Sequence, residues 1–281
     1  MRDSELPRSQ ENWMTAPRVS VVLPAYNEAQ HIYSNIVETM TALAAMEVSY
    51  EIIVVDDGSP DGTDLEAARL LERYSDRVRV VRYAVNRGKG NAVMCGSWFS
   101  RGELIVFLDA DMELHPHHIG RFMEVLDAER ADVVIGSKFH PESKVNYPKD
   151  RRIFSTVYYG LVRLLFGLPV RDTQTGIKLF RRQVLEEVFP KILVKRFAFD
   201  IEVLANAHRL GYRISEAPVN VHFKRQFGRI NWRDAFHVFV DTIAIFYRMY
   251  IRRYYDRTGF KRLSDTSFGY IVHEVQTSDV A

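Results

Sequence analysis

Two carboxylates one residue apart, Asp109 and Asp111, directly follow an apolar run at 104–108 in this chain of 281 residues. A continuous apolar run is typical of a buried parallel strand, and open α/β sheets bind ligands beyond the carboxyl ends of such strands. If the segment stays extended, the two carboxylates point the same way, because side chains alternate with period two. Their oxygens would suit Mg²⁺ or Mn²⁺ shared with a substrate phosphate. Alternatively, Asp111 caps a helix that opens near Pro116.

Four further segments carry polar or glycine-rich chemistry, and they lie at 24–28, 56–63, 86–93 and 172–176. In the third segment, glycines flank Lys89 at the start of a predicted helix. Backbone N–H groups and the ammonium there could face a diphosphate, and a plain tight turn is the alternative. The spacing of a P-loop is absent from this segment. In the first segment, the carboxylate of Glu28 could accept hydrogen bonds from a ribose. In the last, Asp172 could bind sugar hydroxyls or simply form the turn.

Strand-like and helix-like patterns alternate between these segments. We predict strands at 19–24, 50–57, 78–83, 103–110 and 132–137. We predict the helices between them at 28–46, 62–74, 89–100 and 117–129. Such alternation indicates βαβ units and a parallel sheet with helices on both faces. Further helices are predicted at 153–168, 197–212 and 232–255.

The composition, with 47% apolar and 26% charged residues, is that of a globular protein and excludes a largely disordered chain. The one cysteine, Cys95, excludes an internal disulfide and fits a reducing compartment. We expect no signal peptide and no spanning helix, because no apolar run has the required length. Between Lys138 and Arg196, 13 basic residues stand against 5 acidic ones. This asymmetry favours contact with an anion, and a solvated basic face is the alternative.

The five segments, read as PAYNE, DDGSPDGT, NRGKGNAV, DAD and DTQTG, resemble the motifs of the family 2 glycosyltransferases and follow in the same order. The motifs are most similar to those of the branch that transfers a hexose to a polyprenyl (dolichyl-type) phosphate. The resemblance covers about residues 18–253. It implies an α/β fold with a single GT-A-type nucleotide-sugar-binding domain, whose mainly parallel central sheet is flanked by helices, plus a C-terminal amphipathic helix. We expect a flexible leader at 1–17, a catalytic domain at 18–231, the amphipathic helix at 232–255 and a poorly ordered polar tail at 256–281.

The resemblance also implies roles for individual residues. Donor binding is expected from Pro24, Ala25, Tyr26, Glu28, Asp57, Lys89, Asp109, Asp172 and Lys178. Metal binding is expected from Asp109, Asp111 and Glu113, where many relatives carry glutamine at the last position. Binding of the acceptor phosphate is expected from Lys138, Arg151 and Ser155, with a lysine at the first position in place of the usual arginine. The residues expected to be catalytic are Asp109, Asp111, Lys138 and Arg151.

The resemblance therefore predicts an inverting, metal-dependent hexosyltransferase that uses UDP-glucose or GDP-mannose and Mg²⁺ or Mn²⁺. Its acceptor would be a polyprenyl phosphate, so we expect a peripheral enzyme at the cytoplasmic face of a membrane. One alternative is a soluble or polysaccharide hydroxyl acceptor, which would need a carboxylate to deprotonate it. A nucleotide-binding module without turnover is another alternative. Nucleic-acid binding is not expected, because it would leave the acidic strand ends unexplained.

Overall fold

The protein is described by a computed structural model over residues 16–145, 149–194, 198–221, 232–257 and 270–273. Within these ranges, 149–155, 232–235 and 257 are described by their backbone alone. The strands are β1 (Val19–Ala25), β2 (Tyr50–Asp56), β3 (Val78–Tyr83), β4 (Leu104–Leu108), β5 (Val133–Ser137), β6 (Lys144–Val145), β7 (Ile177–Arg181), β8 (Ile214–Pro218), β9 (Asn220–Val221) and β10 (Tyr270–His273). The α-helices are α1 (Ile32–Ala44), α2 (Thr63–Ala68), α3 (Leu71–Tyr74), α4 (Lys89–Phe99), α5 (His118–Ala128), α6 (Lys149–Phe166), α7 (Arg182–Val188), α8 (Phe199–Arg209), α9 (Trp232–Phe246) and α10 (Tyr254–Arg257).

The central sheet has the strand order β10-β3-β2-β1-β4-β7-β5-β8. Strand β1 pairs in parallel with β2 and β4, β2 pairs in parallel with β3, and β5 pairs in parallel with β8. Strands β7 and β10 run antiparallel to their neighbours. The predicted fold class, an α/β domain with a mainly parallel sheet flanked by helices, is confirmed.

Helices cover both faces of the central strands, which explains why those strands read as continuous apolar runs. Every residue of β2 and β4 is buried. Val22 and Phe107 belong to one apolar cluster, which also contains residues of α4 and α8. Val21 and Val106 belong to a second cluster with residues of α1 and α5. The adjacent residues of each strand therefore pack on opposite sides of the sheet.

The antiparallel strand β7 brings two distant parts of the sequence together. It lies between β4 and β5, with Ile177 opposite Leu108 at the carboxyl end of β4. The N–H of Asp109 donates to the carbonyl of Gly176 at 3.0 Å. The loop at 172–176 therefore reaches the same edge of the sheet as the carboxylates that follow β4.

Two helices in the first half of the chain differ from the prediction. The helix predicted at 28–46 begins only at Ile32, because the chain first turns through Asn27, which has a φ of 58°. The helix predicted at 62–74 is divided into α2 and α3. At the division, the N–H of Leu70 donates to the carbonyl of Ala67 at 3.2 Å, a tighter turn than an α-helix makes.

The C-terminal part also differs from the prediction. Helix α9 passes into a π-helical turn at Tyr247–Ile251, and Arg253, with a φ of 48°, separates that turn from α10. The expectation of a poorly ordered tail is wrong for Tyr270–His273, which form β10 and pair with β3. Within the described ranges, the helices are too short or too polar to cross a membrane. Of the predicted leader, residues 1–15 lie outside the described residues.

Candidate active site

A cleft of about 460 Å³ opens at the carboxyl edge of the sheet. Its walls come from the ends of β1, β2 and β4, from the first turns of α4 and α8, and from the loop before β7. The residues of the predicted site that line it are Pro24, Ala25, Tyr26, Glu28, Asp57, Lys89, Asp109 and Asp111. The described residues that were predicted for the site but do not line the cleft are Glu113, Lys138, Asp172 and Lys178. The cleft lies where the strand ends predicted a ligand site.

A turn, rather than an extended strand, places both carboxylates in the cleft. Strand β4 ends at Leu108, and Met112 has a φ of 56°, so the chain reverses directly after the strand. From α1, the side-chain amide of Asn35 donates to the carbonyl of Ala110 at 2.7 Å and holds this turn. The sequence argument assumed an extended strand in which side chains alternate between the two faces. It placed Asp109 and Asp111 in the same site correctly, but the structure brings them there through a turn.

Lys89 forms an ion pair with the first of these carboxylates. Its Nζ lies 2.6 Å from Oδ1 of Asp109, and 41% of its side chain remains exposed at the mouth of the cleft. Burial lowers the pKa of Lys89, but the carboxylates of Asp109 and Asp200 raise it by more, so the net pKa lies above its usual value. The ammonium therefore stays charged at neutral pH.

The pair of acidic residues fits a divalent cation. Burial, together with repulsion from Asp109, raises the pKa of Asp111, and a cation placed here would relieve that repulsion. Magnesium is commonly held by one or two carboxylates plus substrate phosphates, so these two residues suffice as protein ligands. Among the described residues, no three His, Cys, Asp or Glu side chains lie close enough to hold a metal by themselves. Metal binding by Glu113, whose N–H donates to Asp111 Oδ1 at 3.1 Å, stays a prediction.

A second ion pair lies beside the first, and its acidic member was missed by sequence reasoning. The buried ammonium of Lys178 lies 2.9 Å from Oδ1 of Asp200 and donates to the carbonyl of Thr175 at 2.5 Å. Burial lowers the pKa of Lys178, and the nearby Lys89 lowers it further, while Asp200 opposes both effects. Donor binding by Lys178 stays a prediction, since in the structure it holds the loop before β7 against α8.

Asp200 and its neighbour Phe199 line the cleft although neither was predicted to do so. The sequence showed only that a helix begins near Asp200. Their place in the cleft depends on how α8 packs against the sheet, which no local motif signals. The ring of Phe199 also packs so closely on α4 that a Cβ on Gly90 would lie 2.6 Å from it.

The predicted acceptor residues lie away from this cleft or outside the described side chains. Lys138 contacts Asp172 twice, through its N–H at 3.1 Å and through its ammonium at 3.2 Å from Oδ2. The N–H of Asp172 donates in turn to Oε1 of Glu216 at 3.3 Å. The side chains of Arg151 and Ser155, on α6, are not among those described. Phosphate binding by Lys138, Arg151 and Ser155 therefore stays a prediction.

The fold and the site together define an α/β domain whose cleft, at the carboxyl edge of the sheet, is lined by the acidic turn after the fourth strand. Residues 20–189 match the family model described as Glycosyl transferase family 2. The chain belongs to this family.

Relatives of this chain are similar over most of its length. A glycosyltransferase of Haloferax volcanii, AglD, is 34% identical over 205 residues, which are 72% of this chain and 32% of that protein. The dolichyl-phosphate beta-glucosyltransferase of Dictyostelium discoideum is 33% identical over 72% of this chain and 65% of that protein. The enzyme of the same name from Mus musculus is 36% identical over 72% of this chain and 67% of that protein. The chain thus spans about a third to two thirds of the length of these relatives.

Solved structures share the fold. Glucosyl-3-phosphoglycerate synthase from Mycobacterium tuberculosis has a TM-score of 0.61 at 22% identity, covering 82% of this chain and 79% of that chain. Mannosyl-3-phosphoglycerate synthase from Rubrobacter xylanophilus has a TM-score of 0.59 at 21% identity, covering 90% of this chain and 78% of that chain. At these identities the comparison shows the fold alone.

Proposed function

We propose that the protein transfers glucose from UDP-glucose to a polyprenyl phosphate of the dolichyl type, with inversion at the anomeric carbon. The observation that carries this proposal is the cleft in which Lys89 faces two neighbouring carboxylates, Asp109 and Asp111. The ammonium of Lys89 suits the phosphates of a nucleoside diphosphate, and the two carboxylates suit the metal ion bound to it. The names of the dolichyl-phosphate beta-glucosyltransferases among the relatives support the acceptor.

Glucose is better supported than mannose as the transferred hexose. Four similar proteins, from Dictyostelium discoideum, Homo sapiens, Mus musculus and Trichomonas vaginalis, are named dolichyl-phosphate beta-glucosyltransferases. Among solved structures with this fold, one synthase was crystallised with Mn²⁺ and UDP-glucose, and a mannosyltransferase was crystallised with GDP-mannose and Mn²⁺. The fold alone is therefore compatible with either donor, and sequence similarity favours glucose.

The residues of the cleft assist the departure of the nucleoside diphosphate. Lys89, held in its charged form by the neighbouring carboxylates, offsets phosphate charge. Asp109 and Asp111 would hold Mn²⁺ or Mg²⁺, which when bound stabilises the charge that develops as the anomeric C–O bond breaks. The loop before β7 and the first turn of α8 complete the lining of the cleft with Gln174, Phe199 and Asp200.

The acceptor oxygen needs little activation. A phosphate monoester, with a second pKa of about 6, is mostly ionised at neutral pH and can attack without a strong general base. We assign the acceptor phosphate to Lys138, Arg151 and Ser155. In the structure the ammonium of Lys138 is bound by the carboxylate of Asp172 at 3.2 Å, so this ion pair would have to share the lysine with the phosphate.

A second candidate is transfer to a sugar hydroxyl, which would need a carboxylate as general base. Asp200 favours this reading, because its carboxylate lies in the cleft. However, its Oδ1 is already bound by the ammonium of Lys178 at 2.9 Å. An acceptor that arrives ionised therefore suits the site better than one that must be deprotonated.

The proposal is tested with purified protein, Mn²⁺ and a panel of donors and acceptors. We expect a glucosylated lipid from UDP-glucose and polyprenyl phosphate, with inverted anomeric configuration, and little product from GDP-mannose. Polyprenol without phosphate is the matched acceptor control and should give no product. Transfer to hydroxyl acceptors but not to polyprenyl phosphate would establish the second candidate. If the protein binds UDP-glucose but releases no UDP, it is a nucleotide-binding module without turnover.

A lipid acceptor also requires contact with a membrane, and α9 offers a surface for it. Exposed apolar side chains recur at helical spacing along α9 and its π-helical turn, and we call these residues the aromatic stripe: Phe236, Phe239, Val240, Ile243, Tyr247 and Tyr250. An amphipathic helix with such a face lies in the plane of the membrane interface. We propose that the protein binds peripherally to the cytoplasmic face, where a cytosolic nucleotide sugar is available.

Liposome flotation tests the aromatic stripe. Replacing Tyr247 and Tyr250, which are 49% and 43% exposed, with serine should weaken binding to anionic liposomes and leave thermal stability nearly unchanged. Leu65→Ser is the matched control, since Leu65 is 62% exposed on α2 and outside the stripe. Wild-type protein that stays in solution with anionic liposomes containing polyprenyl phosphate at low salt would contradict membrane binding. A loss of stability in the double variant would mean that the stripe packs on protein instead.

A further inference from the structure

One buried carboxylate joins three parts of the chain. Glu202, on α8, is fully buried. Its Oε2 accepts hydrogen bonds from the N–H groups of Leu193 at 3.0 Å and Val194 at 2.7 Å, which precede α8 in the chain. Its Oε1 accepts one from the hydroxyl of Tyr255 and lies 3.7 Å from the guanidinium of Arg248. Glu202 therefore ties α8 to the residues before it and to the part of the chain that follows α9.

The partners of Glu202 are matched to its burial. Burial raises the pKa of Glu202, and the hydrogen bonds from Tyr255 and Val194 oppose that rise, as does the charge of Arg248. Burial and the charge of Glu202 also raise the pKa of Tyr255, so its hydroxyl keeps the proton that it donates. A buried carboxylate costs free energy unless its oxygens have such donors. The network therefore fixes the position of α8 relative to Tyr255.

The part of the chain that carries Tyr255 is attached along the length of α8. We call residues 245–256 the π-turn segment, which comprises the end of α9, the π-helical turn and most of α10. Met249 is buried in the same apolar cluster as residues of α8. In the last turn of α8, Arg209 binds the carboxylate of Asp256 at 2.6 Å and donates to the carbonyl of Met249 at 3.4 Å. A displacement of the π-turn segment would therefore displace α8 or break these contacts.

Helix α8 presents Asp200 to the cleft from the side opposite Glu202. Residues two apart on an α-helix project about 200° apart around its axis. Asp200 accordingly lines the cleft and binds Lys178 at 2.9 Å, while Glu202 faces the π-turn segment. Against the effect of burial, the charges of Asp109 and Asp200 raise the pKa of Lys89. The position of Asp200 therefore affects both ammonium groups of the site.

We infer that Glu202 is a positioning residue: the π-turn segment, acting through Tyr255 and Glu202, fixes the first turn of α8 and with it the carboxylate of Asp200 in the cleft. The inference rests on the proposed function in that it takes the cleft to be the site of glucosyl transfer. It goes beyond that function because it gives the π-turn segment a role in the reaction that does not depend on a membrane.

Transfer from UDP-glucose to a short, water-soluble isoprenyl phosphate tests the inference without a membrane. Tyr255→Phe removes one hydroxyl and leaves the ring in place. We expect kcat, divided by the number of UDP-binding sites per chain from calorimetry, to fall about tenfold, because a displacement of 1 Å can cost about a hundredfold. The Kd for UDP should stay within about twofold of the wild type, since the diphosphate is assigned to Lys89, Asp109 and Asp111. A merely less stable protein would instead have fewer UDP-binding sites and an unchanged kcat per site.

Tyr212→Phe is the matched control. The hydroxyl of Tyr212 donates to Oε2 of Glu187 at 2.6 Å, so this variant also loses a hydrogen bond between a tyrosine and a glutamate. Neither residue lines the cleft, and Glu187 lies on α7 instead of α8. We expect the wild-type kcat in this variant. A tenfold loss would overturn the inference, because any loss of such a hydrogen bond would then slow transfer.

A mutant cycle tests whether the effect passes through Asp200. In the background of Asp200→Asn with Lys178→Met, Tyr255→Phe should lower kcat per site by less than about twofold, since residues that act through one another are not additive. Glu202→Gln in the otherwise wild-type protein should lower kcat per site at least tenfold and retain UDP binding.

Three results would overturn the inference: a wild-type kcat per site in Tyr255→Phe, a wild-type kcat per site in Glu202→Gln, or a full tenfold loss when Tyr255→Phe is added to the background without Asp200. If the wild-type protein transfers no glucose to the isoprenyl phosphate, the proposed function fails and the inference falls with it. If the wild type transfers glucose and the variants do so equally well, only the positioning role fails.

Discussion

Asp200→Asn removes the carboxylate that faces a buried lysine and keeps the volume of the side chain. The ammonium of Lys178, only 2% exposed, would then keep the Thr175 carbonyl as a partner but lose the negative charge at 2.9 Å. Removing one member of a buried ion pair typically costs about 3–5 kcal/mol, because the remaining charge is left uncompensated.

The lysine can limit this cost by losing its proton. At pH 7, neutralising a lysine with the ordinary pKa of 10.5 costs about 5 kcal/mol, and burial already lowers the pKa of Lys178, so the cost in the folded protein is smaller. We therefore expect the free energy of unfolding to fall by about 3 kcal/mol at pH 7. In the variant, the unfolded chain binds more protons than the folded one between the lowered pKa and 10.5, so stability should rise with pH across that window.

Guanidinium chloride unfolding of wild-type protein and Asp200→Asn, at pH 7 and again near pH 9, measures both effects. The double variant Asp200→Asn with Lys178→Met removes both charges and should recover most of the loss. Two results would refute the idea that Asp200 stabilises a desolvated Lys178. One is a fall in the free energy of unfolding of less than about 1 kcal/mol at pH 7. The other is a difference between wild type and variant that does not become smaller near pH 9.

Other substitutions test the acidic turn. Gly176→Ala should lower transfer about tenfold or more, because its Cβ would overlap the carboxylate of Asp109, whereas Gly160→Ala, where nothing lies within 4 Å, is the matched control and should keep full activity. Asp111→Ala should abolish transfer without lowering the free energy of unfolding, and EDTA should inhibit the wild type until Mn²⁺ is restored. A normal rate in folded Asp111→Ala, or in chelator, would remove this residue from the metal site. The pKa of Asp111 is raised in the folded protein. Above the ordinary pKa of 3.8, Asp111 therefore binds more protons in the folded chain than in the unfolded chain. The free energy of unfolding that Asp111 contributes falls as the pH rises toward neutrality. Asp111→Asn should therefore lose less stability than the wild type between pH 4 and pH 7, measured by urea unfolding.

Local patterns were sufficient for the parallel strands of the first half of the chain and for the part of the site that follows those strands. Apolar runs placed the parallel strands, because a strand buried on both faces has few polar positions. The glycines around Lys89 placed the start of α4, which begins at that residue. Residues that directly follow a strand, such as Asp57, Asp109 and Asp111, line the cleft because parallel strands end at one edge.

Local patterns were insufficient where long-range packing decides the arrangement. Asp200 reaches the cleft through the packing of α8, and Lys178 meets it only because β7 runs antiparallel between β4 and β5. Lys138 and Asp172, assigned from sequence to different substrates, form an ion pair with each other. Strand β10 was missed because four residues in a polar segment carry too little periodicity to predict a strand.

The pairing of β10 with β3 has a consequence for how the chain folds during synthesis. Val80 and Tyr83 of β3 pair with His273 and Tyr270, so the edge of the sheet is completed by residues almost two hundred positions later. Until those residues leave the ribosome, β3 presents unpaired N–H and C=O groups at the edge of the sheet, the arrangement through which nascent chains aggregate, and within the strand only Arg79 and Arg82 carry charges that oppose it. The vulnerable interval therefore lasts while almost two hundred further residues are translated, and it ends only when β10 joins the sheet.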